Sequence, residues 1–219
     1  MFMRKGVLFS LWLLLAGGFA LTSCTKNDET TISLIGTEYY VDDILSVVPD
    51  TLQAQFFADF GTLYKGPVPP KIEGSYVLSP KQRVASNLAA SEWPLQVVEP
   101  DVYLRFSKQH NGIVAMDLND ATETLTDTVF VCGSGDAFMV YFIEDKAYEM
   151  EVDNHTYHVT MKRGVVMKGK VASDGLSDFR YASIVMDVED DSGGLIGQYS
   201  KGSYFIYKDG DGKAVSQDW

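Results

Sequence analysis

Several groups of residues in this 219-residue chain carry side chains able to do chemistry, and their spacing decides what chemistry that is. Asp209-Gly210-Asp211-Gly212 sets carboxylates at alternate positions, as in a loop that wraps a calcium ion in oxygens. Completing that loop would put Tyr207 at the first ligand position and Asp218 where a glutamate belongs, so the segment reads as an acidic, glycine-rich turn. His155 and His158 flank Thr156-Tyr157. On a helix they would begin a zinc site, but on a strand residues three apart face opposite ways. The carboxylate pairs Glu144-Asp145 and Asp190-Asp191 would serve glycoside hydrolysis only by converging across a cleft, and they are assigned instead to solvated turns. Cys132, between Val131 and Gly133, has no His-Asp pair near it in sequence and reads as a small buried apolar residue. No catalytic set, metal or cofactor is expected.

Aromatic residues are the remaining candidates. Trp93, followed by Pro94, lies in the long irregular segment 79–100, which is either a lid over one end of the fold or a crossover. Loop aromatics stack on sugars and apolar molecules. Trp93, with Tyr103 and Tyr141, is assigned to contact a small apolar ligand or a glycan.

Two helices and a run of strands must position these residues. Tyr40, Ile44, Leu45 and Val48 fall on one helical face before Pro49. Leu52, Phe56 and Phe60 then recur at fourfold spacing from a start at Asp50, where Asp50 is read as the cap, Gln53 as its answering residue and Gly61 as the stop. The apolar stripe should dock on the main body. Gly66-Pro67-Val68-Pro69-Pro70 is a stiff, extended spacer.

From Gly74 the period changes to two. Val102, Leu104 and Phe106 alternate with Tyr103 and Arg105, and Val114, Met116 and Leu118 with Ala115 and Asp117. The pattern continues through Tyr148, Met150 and Val152, through Val165, Met167 and Val171 against Lys168 and Lys170, and through Ile184, Met186 and Val188. Each strand is read with one dry and one wet face. Asn111-Gly112, Gly133-Ser134-Gly135, Arg163-Gly164 and Ser173-Asp174-Gly175 are among the turn signals between them. The fold class is therefore mostly β, an antiparallel meander of roughly eight to ten strands that closes into a barrel, with a β-sandwich as the alternative. The expected organisation is a removable segment 1–23, a tether 24–36, a helical lead-in and spacer 37–73 and a barrel domain 74–219.

Charge narrows the partners. Arg4 and Lys5, an apolar run over 7–20 and a polar stretch over 25–31 form the charge, apolar, polar order of a secretory signal. Removing 1–23 deletes those two cations and takes the net charge from −12 to −14. Such a chain repels nucleic-acid phosphate, so no nucleic-acid partner is expected.

Leu21-Thr22-Ser23-Cys24 resembles the lipobox of bacterial lipoproteins. The resemblance implies cleavage before Cys24, acylation of its thiol with palmitate-type chains, and a cell-envelope protein whose membrane partner is reached through that anchor, on the outer membrane. Lipidation of Cys24 leaves Cys132 alone, so no intramolecular disulfide is expected. Thr25-Lys26-Asn27-Asp28-Glu29 resembles the short acidic signals of surface-exposed lipoproteins and reads equally as a solvated tether. Asp50-Thr51-Leu52 resembles a three-residue O-glycosylation motif and implies Thr51 as acceptor. Gly74-Ser75-Tyr76 is similar to the Gly-x-Trp opening of lipocalin and calycin barrels, with Tyr76 in place of Trp, and the likeness implies a calycin-like barrel around a small apolar ligand. The functional expectation is a lipid-anchored binding or accessory module. The alternatives are an envelope- or glycan-directed hydrolase, which requires two facing carboxylates with one raised in pKa, and a purely structural lipoprotein.

Overall fold

The computed structural model describes residues 41–89, 94–120, 124–152, 155–191 and 200–217. Cys24, Trp93, Asp218 and the whole segment 1–40 lie outside the described residues. Two helices, α1 (Val41–Ser46) and α2 (Asp50–Phe60), precede the strands β1 (Gly74–Leu78), β2 (Lys81–Ser86), β3 (Val98–Glu99), β4 (Val102–His110), β5 (Ile113–Asn119), β6 (Thr124–Ser134), β7 (Ala137–Val152), β8 (His155–Ala172), β9 (Gly175–Asp191), β10 (Tyr204–Asp209) and β11 (Lys213–Ser216).

Local chemistry explains both helices. Pro49 has no N–H with which to continue α1, and its carbonyl accepts from Leu52 N and Gln53 N, starting α2. Asp50 is thus the first helical residue and Pro49 stands at the cap, with no side-chain capping bond. The expected cap at Asp50 is corrected, although Gln53 Nε2 does donate to Asp50 Oδ1 at 3.1 Å. Gly61 ends the helix at φ 86°, a conformation glycine adopts without strain, and its N–H donates to Phe57 O. Thr51 is exposed on α2.

The barrel closes through β1, β4, β5, β6, β7, β8, β9 and β11, all antiparallel neighbours, with β11 joining β9 to β1. Consecutive hairpins build most of it, as at Asn111-Gly112, where both residues take positive φ. The 79–100 segment is not irregular throughout: it contains β2, which pairs with β10 on the far side of β9, and β3, which pairs with β2. β10 and β11 lie end to end along β9, β10 against Arg180 to Ile184 and β11 against Gly175 to Ser177. The 209–212 turn is therefore a fork, from which β11 closes the barrel and β10 carries the sheet outward to β2 and β3.

Two corrections concern strand length and faces. Glu144-Asp145 lies inside β7 and Arg163-Gly164 inside β8, not in turns, with Glu144 opposite Arg163. Asp190-Asp191 lies at the end of β9. Gly164 is a packing residue, because a Cβ there would overlap Ile44 Cγ2 of α1. Where the helices pack on them, β7 to β10 also lack the wet outer face expected of them. Ile44, Leu45, Phe56 and Phe60 cover that side together with Met139, Tyr141, Val166, Ala182 and Ile206, as the apolar stripe of the helices requires. Lys168, read as a wet-face residue, is buried there. Its Nζ donates to Thr62 O at 2.9 Å and lies over the Tyr64 ring at 4.9 Å. Burial pushes that amine down to about 8. Arg180 Nη1 likewise donates to Asp59 O. The last turn of α2 has no basic residue of its own, so cations from the sheet complement its C-terminal carbonyls.

Candidate functional site

The barrel interior is filled by its own side chains. Leu78, Leu104, Phe106, Val114, Met116, Val129, Phe138, Val140, Val165 and Met167 point inward with at most 1% of their surface accessible. A side chain lining even a water-sized void would show more, so the axis holds no lumen at their level.

One end is closed by the proline-rich spacer. Gly66 O accepts from Gly133 N at 2.9 Å, and Pro67 bridges to Gly133, which ties the spacer across the end of β6. Ile72 is fully buried in the barrel core. Gln109 fixes it from β4: Oε1 accepts from Ile72 N and Nε2 donates to Pro70 O, both at 2.8 Å. Tyr76 OH donates to Ile72 O from within the barrel. Glu73 accepts from Gln109 N and pairs with Lys71 at 2.8 Å, interactions that hold its carboxyl below the ordinary range, Lys71 contributing most. The spacer and the β4–β5 hairpin enclose an outer recess of about 440 Å³, with Val68, Pro69, Gln109, His110 and Asn111 in its wall.

The other end is closed by charge. Glu99 of β3 is gripped by Lys81 Nζ at 3.2 Å and by Arg83, and Lys81 also faces Asp120 at 3.8 Å. Lys81 lies over the Tyr207 ring and Arg83 over Phe205. Tyr207 stacks on Tyr181 at 5.5 Å. Across the opening, Glu144 pairs with Arg163, whose Nε donates at 3.0 Å. These side chains are mostly buried. Burial lowers the Lys146 amine, the neighbouring Arg163 charge lowers it further, and Asp120 opposes both. Burial raises the Tyr181 phenol, which stays neutral. Each carboxylate here faces a cation and is spent on closure.

At the fork, Asp209 is buried. Its Oδ2 accepts from Ser79 N at 3.0 Å and its Oδ1 from Asp211 N at 3.1 Å. Burial pushes its carboxyl up to about 6, and the Asp211 side chain adds to the rise. This is a raised carboxylate beside a second one, as a hydrolase would need. The two stand in one turn, however, with the Asp209 oxygens engaged by backbone, and cannot flank a substrate bond. Tyr207, the first position of the calcium-loop reading, is stacked inside the barrel. Among the described residues no group of three or more His, Cys, Asp or Glu side chains could hold a metal.

Of the ligand residues read from sequence, Tyr103 and Tyr141 lie apart. Tyr103 is on the outer face of β4 and 37% exposed, whereas Tyr141 is 4% exposed beneath the helical layer, stacked on Phe130 at 5.3 Å. Trp93 lies outside the described residues. Cys132 is buried with its Sγ 3.5 Å from Tyr64 O. Lys81, Arg83, Glu99 and Gln109 were not singled out in sequence. The only signal for the first two is the alternation of Lys81 and Arg83 along a segment otherwise able to form a strand. Comparison with protein-family models, with curated proteins and with solved structures finds no match for this chain.

Proposed function

We infer that this chain is a lipid-anchored cell-envelope protein that serves as a binding or accessory module through its outer surface. The observation that carries the second part is the packed barrel, closed at one end by Ile72 and at the other by the Lys81–Glu99 and Arg163–Glu144 pairs. A scaffold with no room along its axis offers ligands only its outside. Support for the anchor comes from Arg4-Lys5, the apolar run 7–20 and Leu21-Thr22-Ser23-Cys24.

Of the two ligand classes expected, the outer recess favours a glycan. Its wall sets the apolar Val68 and Pro69 beside the polar Lys71, Glu73, His110 and Asn111, a mixture that suits sugar faces and hydroxyls. Gln109 is already held by two backbone contacts, so the wall is preformed.

Metabolic labelling with a tagged fatty acid tests the anchor. The wild-type chain should take the label and fractionate with membranes, and Cys24→Ser should lose both. Label and fractionation that survive the substitution would overturn the reading. Titration with envelope oligosaccharides tests the recess. Binding should be lost in His110→Ala, and a ligand indifferent to that change would place recognition elsewhere.

A further inference from the structure

β7, β8 and β9 do not stop where the barrel ends. Beyond Glu144 they run on together as an arm. β8 and β9 stay paired as far as Val159 and Asp191, and β7 and β8 as far as Val152 and His155, so the outermost part is a two-stranded ribbon. The stretch 144–152 spans roughly 26 Å at about 3.3 Å per residue. On the other side of β7, β6 departs after Phe130 pairs with Tyr141. Among the described residues no strand pairs with β7 along 147–152 on that side. Alternate residues there turn N–H and C=O outward, an unfilled ladder that natural sheets seldom leave long and flat.

Register and charge say what fits this edge. Tyr148 stands opposite Val159 and Met150 opposite Tyr157, while Glu149 stands opposite His158 and Glu151 opposite Thr156. Apolar and polar cross-strand pairs therefore alternate, and a two-stranded ribbon of this kind is marginal by itself in water. The segments 144–152, 155–163 and 185–191 together carry eight carboxylates against Lys146, Lys162 and Arg163. Two copies pairing about Met150 would set Glu149 directly against Glu151 of the other copy, which is destabilising. An anionic bilayer is repelled for the same reason.

We propose that the 147–152 edge of β7 is a docking site for an extended, basic segment of another protein. The segment adds a strand beside β7: its backbone completes the ladder, and its Lys or Arg side chains meet the acidic arm, where the Glu149 side chain is 74% exposed and has His158 at 3.5 Å.

The test uses the full-length chain in detergent with two synthetic peptides, Lys-Val-Lys-Val-Lys-Val-Lys and its Glu-for-Lys counterpart, read by residue-resolved amide hydrogen exchange. The basic peptide should slow exchange within 147–152 by about tenfold or more, and its affinity should fall by roughly an order of magnitude between low and moderate salt. The acidic peptide should do neither. Glu149→Lys with Glu151→Lys should reverse the preference while leaving exchange in β4 and β5 unchanged. Protection elsewhere on the acidic surface, an unreversed preference, or protection that rises with protein concentration alone would each overturn the proposal, the last by identifying a second copy as the occupant.

Discussion

The two ends of the barrel are closed by opposite chemistries. At the spacer end an isoleucine is driven in and held by an amide that matches its neighbours' backbone. At the fork end four cations and three carboxylates surround two stacked tyrosines. The first closure draws on apolar burial, which is indifferent to salt and nearly so to pH. The second sets Coulomb attraction against the cost of removing charge from water, and its balance depends on every partner being present. A protein that needed only a plug could use Ile72 twice. Charged closure gives instead a set of geometric constraints that fixes β3 over β2 and β7 against β8, at a stability that one missing partner can undo.

Breaking the charged end at one residue should have the largest effect. Glu144→Ala strands the Arg163 guanidinium in a buried site, and urea denaturation should show a loss of about 4 kcal/mol. Replacing the pair together, Glu144→Leu with Arg163→Met, should return stability to within about 1 kcal/mol of the wild type. A double variant as unstable as the single one would mean that the pair stabilises in its own right. Ile72→Ala should cost somewhat less, about 3 kcal/mol, from lost burial and the cavity left behind. Its cost should be the same in dilute buffer and in about 1 M salt, where the Debye length has shrunk to about 3 Å, and a marked salt dependence would erase the distinction between the ends.

The smallest effect concerns pH at the fork. Asp209 holds its proton more tightly in the folded chain, with its carboxyl raised to about 6, than in the unfolded one. Its favourable contribution is therefore fully present below the unfolded carboxylate range near pH 4 and is lost as pH rises through about 6. Urea midpoints measured across that window should fall more steeply for the wild type than for Asp209→Asn. Equal slopes would place the titration elsewhere.

Sequence and structure part company along the same line. Strands β4 and β5 were legible because Leu104 and Phe106 alternate with Tyr103 and Arg105, so one side of the sheet meets core and the other water. The stripe of α2 was legible because Phe56 and Phe60 repeat at the helical period. β2 was not, because its inward positions are Lys81 and Arg83, charges where periodicity looks for apolar groups. The full lengths of β7 and β8 were hidden by Glu144-Asp145 and Arg163-Gly164, which resemble turn signals. Glu144 and Arg163 are buried because they pair with each other, and Gly164 is small because Ile44 sits on it. Tyr141, assigned to a ligand, is spent on the helical layer. One-dimensional pattern cannot separate a charge facing water from one facing its partner across a strand.

The claim that the barrel is solid can be met directly by titrating the purified full-length chain with a fluorescent long-chain fatty acid. A packed axis closed at both ends predicts no saturable signal and no displacement by unlabelled fatty acid. A one-to-one complex, with protection of Phe138, Val140 and Met167 in amide exchange, would contradict it.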